Sequence, residues 1–247
     1  MLLFRNTNLS QISYIMHSDF LITEDINKFG IKNLKGGHSR RPEIAGAIMY
    51  GEQEVLKYIK NERNAAIQSD MTKYALKLLK YSAYKNKSET FLDIGCGCGI
   101  SSHIIESYGH FCVGVDISHN LLDHARKTQS ASDFIQLDVS KGLNFKQGTF
   151  RFAISISVLQ WFVHEESLLK LFNSLENALE DEGKAVFQFY PRNTQDLYLI
   201  LTYAEKFFDG CMLTDYPSIN RGMKVFLYLL KSSRRNLENH THTGIVH

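Results

Sequence analysis

The chain has 247 residues, which is enough for one α/β domain with a sizeable hydrophobic core. Its apolar fraction of 44% is ordinary for a globular protein, and its formal charge of +2 is nearly balanced, so bulk electrostatics neither indicate nor exclude a nucleic-acid-binding surface. No stretch approaches the roughly 20 apolar residues of a membrane-spanning helix.

Targeting and cysteine patterns favour a reducing compartment. The first six residues turn polar too soon for a secretory signal, and Asp19, Glu24 and Asp25 argue against a mitochondrial presequence. Three of the four cysteines crowd between residues 96 and 112, which favours reduced thiols over a disulfide framework. The first two have a single residue between them, a tighter spacing than zinc sites use, so we expect no metal. We expect a protein of the nucleus and cytoplasm.

Regular secondary structure is predicted from about residue 67 onwards. Residues 1–40 are expected to be an irregular extension, residues 41–231 a folded domain, and residues 232–247 a polar tail. Apolar residues at helical spacing predict a helix over residues 67–79. Strands are then predicted over residues 90–94, 111–115, 134–137, 152–157 and 185–190, alternating with helices over residues 100–108, 168–179 and 197–208 and one helix capped by Ser118.

This alternation predicts an α/β fold of the Rossmann-like type. Strands separated by helices indicate a mostly parallel sheet, here of seven strands, with helices on both faces. Residues 211–214 and 224–230 are expected to pair as an antiparallel end, so that the final strand runs against the rest. Ligands in such sheets bind at the carboxyl ends of the strands, where the strand order reverses.

A glycine-rich loop follows the first predicted strand, in the sequence FLDIGCGCG of residues 91–99. Glycine permits a left-handed backbone and lets a ligand approach the chain closely. Dinucleotide sites prefer G-x-G-x-x-G, whereas Gly95, Gly97 and Gly99 have the tighter spacing G-x-G-x-G after Asp93. The tighter loop suits the small amino-acid part of S-adenosylmethionine better than a pyrophosphate. The alternative is a tight turn that binds no ligand.

Two further carboxylates fit the same ligand. Asp116 ends the second predicted strand about 20 residues after the loop, where it can accept both ribose hydroxyls. Asp138 follows the third strand and can accept the adenine amino group, while Val139 can donate a backbone N–H to the ring. With these carboxylates in place, a cofactor site for S-adenosylmethionine is favoured over a bare turn.

Several strings in the chain resemble those of the eukaryotic 18S rRNA (guanine-N7) methyltransferases, over roughly residues 41–233. The most specific are Ser-Ile-Ser-Val-Leu-Gln-Trp at residues 155–161 and Gln-Phe-Tyr-Pro at residues 188–191. Less specific matches are Arg41-Pro42-Glu43, Met49-Tyr50, Lys57-Tyr58, Asp116-Ile117-Ser118 and Asp215-Tyr216-Pro217. The chain departs from the family in lacking a long Lys/Arg-rich tail, and its stretch before Arg41 is longer than usual.

The resemblance implies transfer of a methyl group from S-adenosylmethionine to N7 of a guanine in small-subunit rRNA during ribosome biogenesis. It implies cofactor contacts at Gly95, Gly97, Asp116, Ile117, Asp138 and Val139. It also implies that residues 155–161 and 188–191 border the acceptor site. Tyr58 and Arg63 are candidates to close over the cofactor.

Guanine N7 carries a lone pair and no proton, so methyl transfer to it needs placement rather than a general base. The catalytic candidates are Ser155, Gln160, Trp161, Gln188 and Tyr190. Trp161, Phe189 and Tyr190 are candidates to stack on the base. Gln160, Gln188 and Tyr190 are candidates to contact its edge. Each has an alternative: Trp161 covers the fourth strand, Phe189 belongs to the core, and Ser155 and Ser157 satisfy backbone groups near the loop.

The resemblance also implies a partner, a small zinc-ribbon activator protein that binds such methyltransferases and holds the zinc itself. A physical reason is available, because the third strand of this fold is usually an edge and Phe134-Ile135-Gln136-Leu137 is short and apolar. The alternative is an edge covered by the chain's own N-terminal segment.

Three rival functions remain open from the sequence alone. One is a methyltransferase of the same fold with a small molecule or a protein as acceptor. Another is a non-catalytic pre-ribosome assembly factor that retains cofactor binding. The third is a nicotinamide-dependent dehydrogenase, which the glycine spacing disfavours.

Overall fold

The computed structural model describes residues 52–79, 87–128, 133–162, 164–191, 193–214 and 225–231. The predicted extension over residues 1–40 and the predicted tail over residues 232–247 lie outside these ranges. So do three of the strings that resemble the family, at residues 41–43, 49–50 and 215–217.

Within these ranges the chain forms an alternating series of strands and helices. The strands are β1 Thr90–Ile94, β2 Phe111–Asp116, β3 Asp133–Gln136, β4 Phe150–Ile156, β5 Leu179–Phe189, β6 Asp209–Thr214 and β7 Val225–Leu230. The helices are α1 Glu52–Ile59, α2 Glu62–Leu78, α3 Ile100–Ser107, α4 His119–Lys127, α5 Glu165–Ala178 and α6 Thr194–Glu205. Short 3₁₀ turns cover Val139–Lys141 and Leu159–Trp161.

The strands form one sheet in the order β3-β2-β1-β4-β5-β7-β6. The first five strands pair in parallel, whereas β7 runs antiparallel to both β5 and β6. This confirms the predicted mostly parallel sheet with an antiparallel final strand. The chain steps outward from β1 to β2 and β3, then returns to place β4 on the other side of β1. The strand order therefore reverses at β1, which puts the switch point at the glycine loop.

Side-chain alternation along the strands divides the core into two layers. Phe91 and Phe152 pack with α2 and α3 on one face of the sheet, through Met71 and Ile105 among others. The neighbouring positions, such as Leu92, pack with α5 and α6 on the opposite face. Helices therefore cover both faces, as the alternating pattern predicts.

The structure differs from the prediction at one helix and at several element boundaries. Helix α1 was not predicted, because it has only eight residues, EQEVLKYI, too few for an apolar period to be read with certainty. Strand β5 begins at Leu179 rather than at residue 185, and its pairing with β4 shifts register between Phe150 and Phe152. Glu182, inside this irregular stretch, has a φ of 59°. The polar residues of the stretch also interrupt the alternating pattern by which a strand is predicted from sequence. Strand β6 begins two residues before the predicted start.

A buried lysine fixes the end of the domain. Lys231 follows β7 directly and is only 2% exposed. Its Nζ donates to the carbonyls of Glu176 and Leu179 at 2.8 and 2.9 Å and lies 3.4 Å from Oε1 of Glu176. Its backbone N–H donates to the carbonyl of Gly183 at 2.9 Å. The ammonium thus satisfies carbonyls at the C-terminal end of α5, where a positive charge is favoured.

Substituting Lys231→Met should keep the volume of the side chain but leave these carbonyls and the Glu176 carboxylate without their donor. We expect the free energy of unfolding to fall by about 3 kcal/mol. Urea unfolding at pH 7, followed by circular dichroism, measures it. The control is Lys170→Met on α5. The Lys170 ammonium lies 2.6 Å from an exposed carboxylate oxygen of Glu166, and its loss should change the free energy of unfolding little. Equal losses in the two variants would contradict the role of Lys231.

Candidate active site

The glycine loop joins the end of β1 to the start of α3 at the carboxyl edge of the sheet. The backbone N–H groups of Gly95 and Cys96 both donate to the carbonyl of Val115 in β2, at 2.7 and 3.0 Å. Gly95, Gly97 and Gly99 have φ angles of 73°, 55° and 85°, in the left-handed region that glycine adopts without strain. The backbone path of the loop therefore requires all three glycines.

Two of these glycines differ in their surroundings. A Cβ atom at Gly95 would lie 2.2 Å from Cγ2 of Val158, so the loop packs directly against the segment that follows β4. A Cβ atom at Gly97 would meet nothing within 4 Å. The loop is supported at Gly95 and faces open space at Gly97, which leaves room for a ligand there.

Asp116 is oriented by the loop and by the chain that follows it. Its Oδ2 accepts from the backbone N–H of Gly97 at 2.9 Å, and its Oδ1 accepts from that of Ser118 at 2.8 Å. Burial raises the pKa of this carboxyl above its ordinary value, against the lowering effect of the backbone hydrogen bonds. Each oxygen keeps acceptor capacity for a further donor, such as a ribose hydroxyl.

Asp93 is completely buried beside the loop. Its Oδ2 accepts from the hydroxyls of Ser101 and Ser102, both at 2.6 Å, which ties β1 to the first turn of α3. Its Oδ1 has no hydrogen-bond partner among the described residues. Burial raises the pKa of Asp93 to about 6, although the two serines lower it, and the nearby carboxylate of Asp116 raises it further.

Two carboxylates thus lie close to one glycine loop. Neither Asp93 nor Asp116 forms a salt bridge to another side chain in the described part of the chain. Their mutual repulsion, together with the unpartnered Oδ1 atom and the open space at Gly97, favours a ligand that brings positive charge and hydroxyl donors. S-adenosylmethionine has both, so the residues present fit this cofactor.

Two of the predicted adenine contacts, Asp138 and Val139, follow β3 at the carboxyl edge of the sheet. Asp138 caps its own 3₁₀ turn, accepting from the backbone N–H and the hydroxyl of Ser140 at 3.1 and 2.6 Å and lying 3.3 Å from Nζ of Lys141. Burial acts to raise the pKa of Asp138, but the hydrogen bonds from Ser140 and Lys141 together lower it. Ile117 and Val139 are half-buried nearby in sequence. Their roles as cofactor contacts stay predictions.

The two residues expected to close over the cofactor lie on the first helices. Arg63 is exposed in the first turn of α2, and Tyr58 lies on α1, with its side chain outside the described part of the structure. No contact in the structure tests either role, so both stay predictions.

The predicted acceptor residues lie at the carboxyl ends of β4 and β5 and in the turns that follow them. Ser155 is buried, and its hydroxyl donates to the carbonyl of Ile94 at 2.8 Å, directly before the glycine loop. Its geometry favours the alternative that it satisfies a backbone group. Phe189 is buried in the core, as its own alternative predicted. Trp161 is partly exposed, and its stacking role stays a prediction.

The two glutamines and Tyr190 contact this region in different ways. Gln160 donates from Nε2 to the carbonyl of Ser157 at 2.8 Å, and its Oε1 lies 3.5 Å from the backbone nitrogen of Tyr190. Gln188 is buried and accepts from the Ser157 hydroxyl at 3.0 Å. The Tyr190 ring is 37% exposed, and its hydroxyl lies 3.5 Å from the sulfur of Met71 on α2. The structure brings these side chains together, and their catalytic roles stay predictions.

Sequence reasoning missed the serine pair that holds Asp93. Ser101 and Ser102 lie eight and nine residues after that aspartate, in the first turn of the helix that follows the loop. Adjacent serines directly after a G-x-G-x-G loop were a visible signal. It was not used because serine is common at helix starts for capping alone.

Comparisons with known proteins agree with this geometry. A family profile described as a methyltransferase domain matches residues 92–187. The 18S rRNA (guanine-N(7))-methyltransferase of Bos taurus is 37% identical over 209 residues, which cover 80% of this chain and 74% of that protein. The 18S rRNA (guanine(1575)-N(7))-methyltransferase of Saccharomyces cerevisiae is 36% identical over 190 residues, covering 72% of this chain and 68% of that protein.

Solved structures share the fold at low sequence identity. A TehB-like SAM-dependent methyltransferase from Corynebacterium glutamicum superimposes with a TM-score of 0.54 at 17% identity, covering 74% of this chain and all of that one. Magnesium protoporphyrin IX methyltransferase from Synechocystis, solved with bound SAM, gives a TM-score of 0.54 at 19% identity, covering 74% and 86%. These likenesses establish the architecture.

The sheet order, the G-x-G-x-G loop and the acidic residue that ends β2 together define an S-adenosylmethionine-dependent methyltransferase of Rossmann-like fold. Within this class the chain belongs to the family of the 18S rRNA (guanine-N7)-methyltransferases. In the described ranges no helix is long and apolar enough to cross a membrane. No group of three or more His, Cys, Asp and Glu residues in those ranges could hold a metal ion.

The raised pKa of Asp93 predicts a pH dependence of stability. The folded state binds this proton more tightly than the unfolded chain, so the carboxyl stabilises the fold at low pH and this contribution is lost as pH rises from 3.8 to about 6. The unfolding free energy of the wild type, minus that of Asp93→Asn, should therefore fall by about 3 kcal/mol across this window. Urea titrations at a series of pH values measure it.

Asp138→Asn provides a control of opposite sign. The pKa of Asp138 is lowered in the folded state, so its stabilising effect is present above its ordinary pKa and is lost as pH falls. The difference between wild type and Asp138→Asn should therefore grow with rising pH. A flat difference for Asp93→Asn would rule out the assigned titration.

Proposed function

We propose that the protein transfers a methyl group from S-adenosylmethionine to N7 of a guanine in small-subunit rRNA during ribosome biogenesis. The observation that carries the cofactor half is the Asp116 carboxylate, held by Gly97 and Ser118 beside the open face of the glycine loop. Family membership supports the acceptor half.

The cofactor-binding roles follow from the charges and donors of the site. Asp116 binds the ribose hydroxyls, and the loop of Gly95, Gly97 and Gly99 lies against the amino-acid part. The unpartnered Oδ1 of Asp93 is the acceptor suited to its ammonium group. Ile117, Asp138 and Val139 would contact the adenine, and Tyr58 and Arg63 are the residues proposed to close over the cofactor.

When bound, S-adenosylmethionine supplies an electrophilic methyl group on a sulfonium. The chain's own residues then have to hold a guanine in line with it, because N7 has no proton to remove. Trp161 and Tyr190 are the partly exposed aromatic rings available for stacking on the base. Gln160 and Gln188 contact the base edge, and Ser155 holds β4 against β1 beneath the loop.

The test is methyl transfer from labelled S-adenosylmethionine to pre-ribosomal RNA by the wild-type protein, with mapping of the modified base. We expect label at one guanine N7. Asp116→Ala should abolish transfer and lower cofactor affinity in calorimetry by at least about 100-fold, since it removes an acceptor of two hydroxyl groups.

The matched control is Asp123→Ala, which removes an exposed carboxylate of α4 that pairs with Arg126 and His119. It should leave both readouts unchanged. Label on protein or on a small molecule, with none on RNA, would refute the assigned acceptor. Unchanged cofactor affinity in Asp116→Ala would refute the ribose role.

The partner proposed for this protein is a small zinc-ribbon activator that adds a strand beside β3. Strand β3 is an edge of the sheet, and its Ile135 side chain is 42% exposed. Phe134 packs against Gly114, where a Cβ atom would lie 2.8 Å from the ring, so the edge is anchored from within. Unpaired edges favour strand addition by another chain.

Co-expression tests this partner. We expect the chain alone to be poorly soluble and to become soluble with the activator, because the partner covers the edge. Ile135→Lys should prevent co-purification, whereas Leu169→Lys, at a similarly exposed position on α5, should not. A lone chain that is soluble and fully active would count against an obligate partner.

The remaining assignments complete the proposal. We propose that residues 41–231 form the catalytic unit, with residues 1–40 and residues 232–247 outside it. Because small-subunit rRNA is made in the nucleolus, the protein acts there and in the cytoplasm, bound to pre-ribosomal particles.

A further inference from the structure

The turn after β4 is built around one residue in an unusual conformation. Ser157 has a φ of 62°, in the left-handed region that side chains other than glycine rarely adopt. Its backbone N–H donates to the carbonyl of Gln188 at 2.8 Å, and its hydroxyl donates to Oε1 of Gln188 at 3.0 Å. Its carbonyl accepts from Nε2 of Gln160 at 2.8 Å. All three polar groups of Ser157 therefore contact residues assigned to the acceptor site.

In the structure, the hydroxyl of Ser157 donates to Oε1 of the Gln188 carboxamide. Because Oε1 accepts this hydrogen bond, the amide NH₂ group lies on the other side of the carboxamide. Gln188 is fully buried, and its Nε2 has no hydrogen-bond partner among the described residues. A buried N–H donor left unpaired costs about 1–3 kcal/mol. An unusual φ and an unpaired donor at one place mark a site shaped for a ligand rather than for stability.

We infer that Ser157 is a positioning residue that holds the Gln188 carboxamide with its NH₂ group as a donor for the acceptor base, so that the pocket selects a purine with a carbonyl beside N7. The inference rests on the proposed function. Guanine presents the O6 acceptor next to N7, whereas adenine presents an amino donor at that position. A fixed NH₂ donor matches guanine and sets two donors against each other in the case of adenine.

The NH₂ group is buried, so a base reaches it only when side chains at the rim of the site shift. Tyr190 continues the alternation of β5 on the same face as Gln188 and is partly exposed. Its hydroxyl contacts the sulfur of Met71, which is a weak acceptor. Movement of the Tyr190 ring would admit the base and place the ring where it can stack.

The test compares RNA substrates that carry guanine, inosine or adenine at the methylated position. Inosine keeps O6 and N7, so the wild type should methylate guanine and inosine at similar rates and adenine far more slowly. Ser157→Gly keeps the left-handed backbone and removes the hydroxyl. It should lower kcat/KM for the guanine substrate by about tenfold, since the carboxamide is then free to turn. The ratio of kcat/KM for guanine to kcat/KM for adenine should fall by a similar factor.

A second variant separates function from folding. Gln188→Met removes the unpaired donor, together with the Oε1 acceptor of the Ser157 hydroxyl, at nearly constant volume, so its Tm should stay within a few degrees of the wild type while guanine selectivity is lost. Cofactor affinity should be unchanged in both variants. The control is Ser174→Ala, which removes a serine hydroxyl that bonds backbone groups of Leu143 and Lys170 and has no bond to Gln160 or Gln188 in the described part of the chain, so it should keep the selectivity.

The outcomes distinguish this inference from the proposed function. A wild type that methylates guanine, with an unchanged guanine-to-adenine ratio in both variants, overturns the role of the pair and leaves the proposed function standing. A large fall in Tm in Gln188→Met assigns the glutamine to the fold and also overturns it. A wild type that modifies no guanine in RNA overturns both.

Discussion

The whole site depends on the way the glycine loop is bound to the end of β2. The carbonyl of Val115 accepts from the N–H groups of Gly95 and Cys96, and the carboxylate of Asp116 accepts from that of Gly97. These bonds require the loop to turn sharply toward β2, which only left-handed residues can do. The same bonds orient the Asp116 side chain toward the open space beside Gly97. One set of hydrogen bonds therefore determines both the backbone path of the loop and the position of the carboxylate.

Electrostatics explain why this arrangement suits a cationic ligand. Asp93 is completely buried and Asp116 is partly buried, and burial acts on both to favour the neutral acid. A ligand with positive charge stabilises the ionised forms, and it does so more strongly than it would in water because the effective dielectric is lower. The serines at the start of α3 meet part of the hydrogen-bonding capacity of Asp93 and leave the rest for the ligand.

Much of this could be predicted from the sequence, because the predicted features are local. Strand β1, the glycine spacing and the cap at Ser118 each have a short-range signature, and the structure reproduces them. Features that arise from tertiary contact had no such signature. Helix α1 has only eight residues, too few for its apolar spacing to stand out, and the irregular start of β5 depends on pairing with Phe150. Nothing local marks Ser157 as left-handed, since serine ordinarily avoids that region.

The glycine loop and the residues predicted to border the acceptor lie on one edge of the sheet. Val158 packs against Gly95, and the Ser155 hydroxyl binds the carbonyl of Ile94, so the turn after β4 is joined to the glycine loop at two points. A reaction that needs no proton transfer depends on the distance and angle between donor and acceptor, and small displacements are costly. The buried hydroxyl of Ser155 and the side chain of Val158 are therefore the contacts that set the separation between the loop and this turn, and the catalytic role of Ser155 stays a prediction.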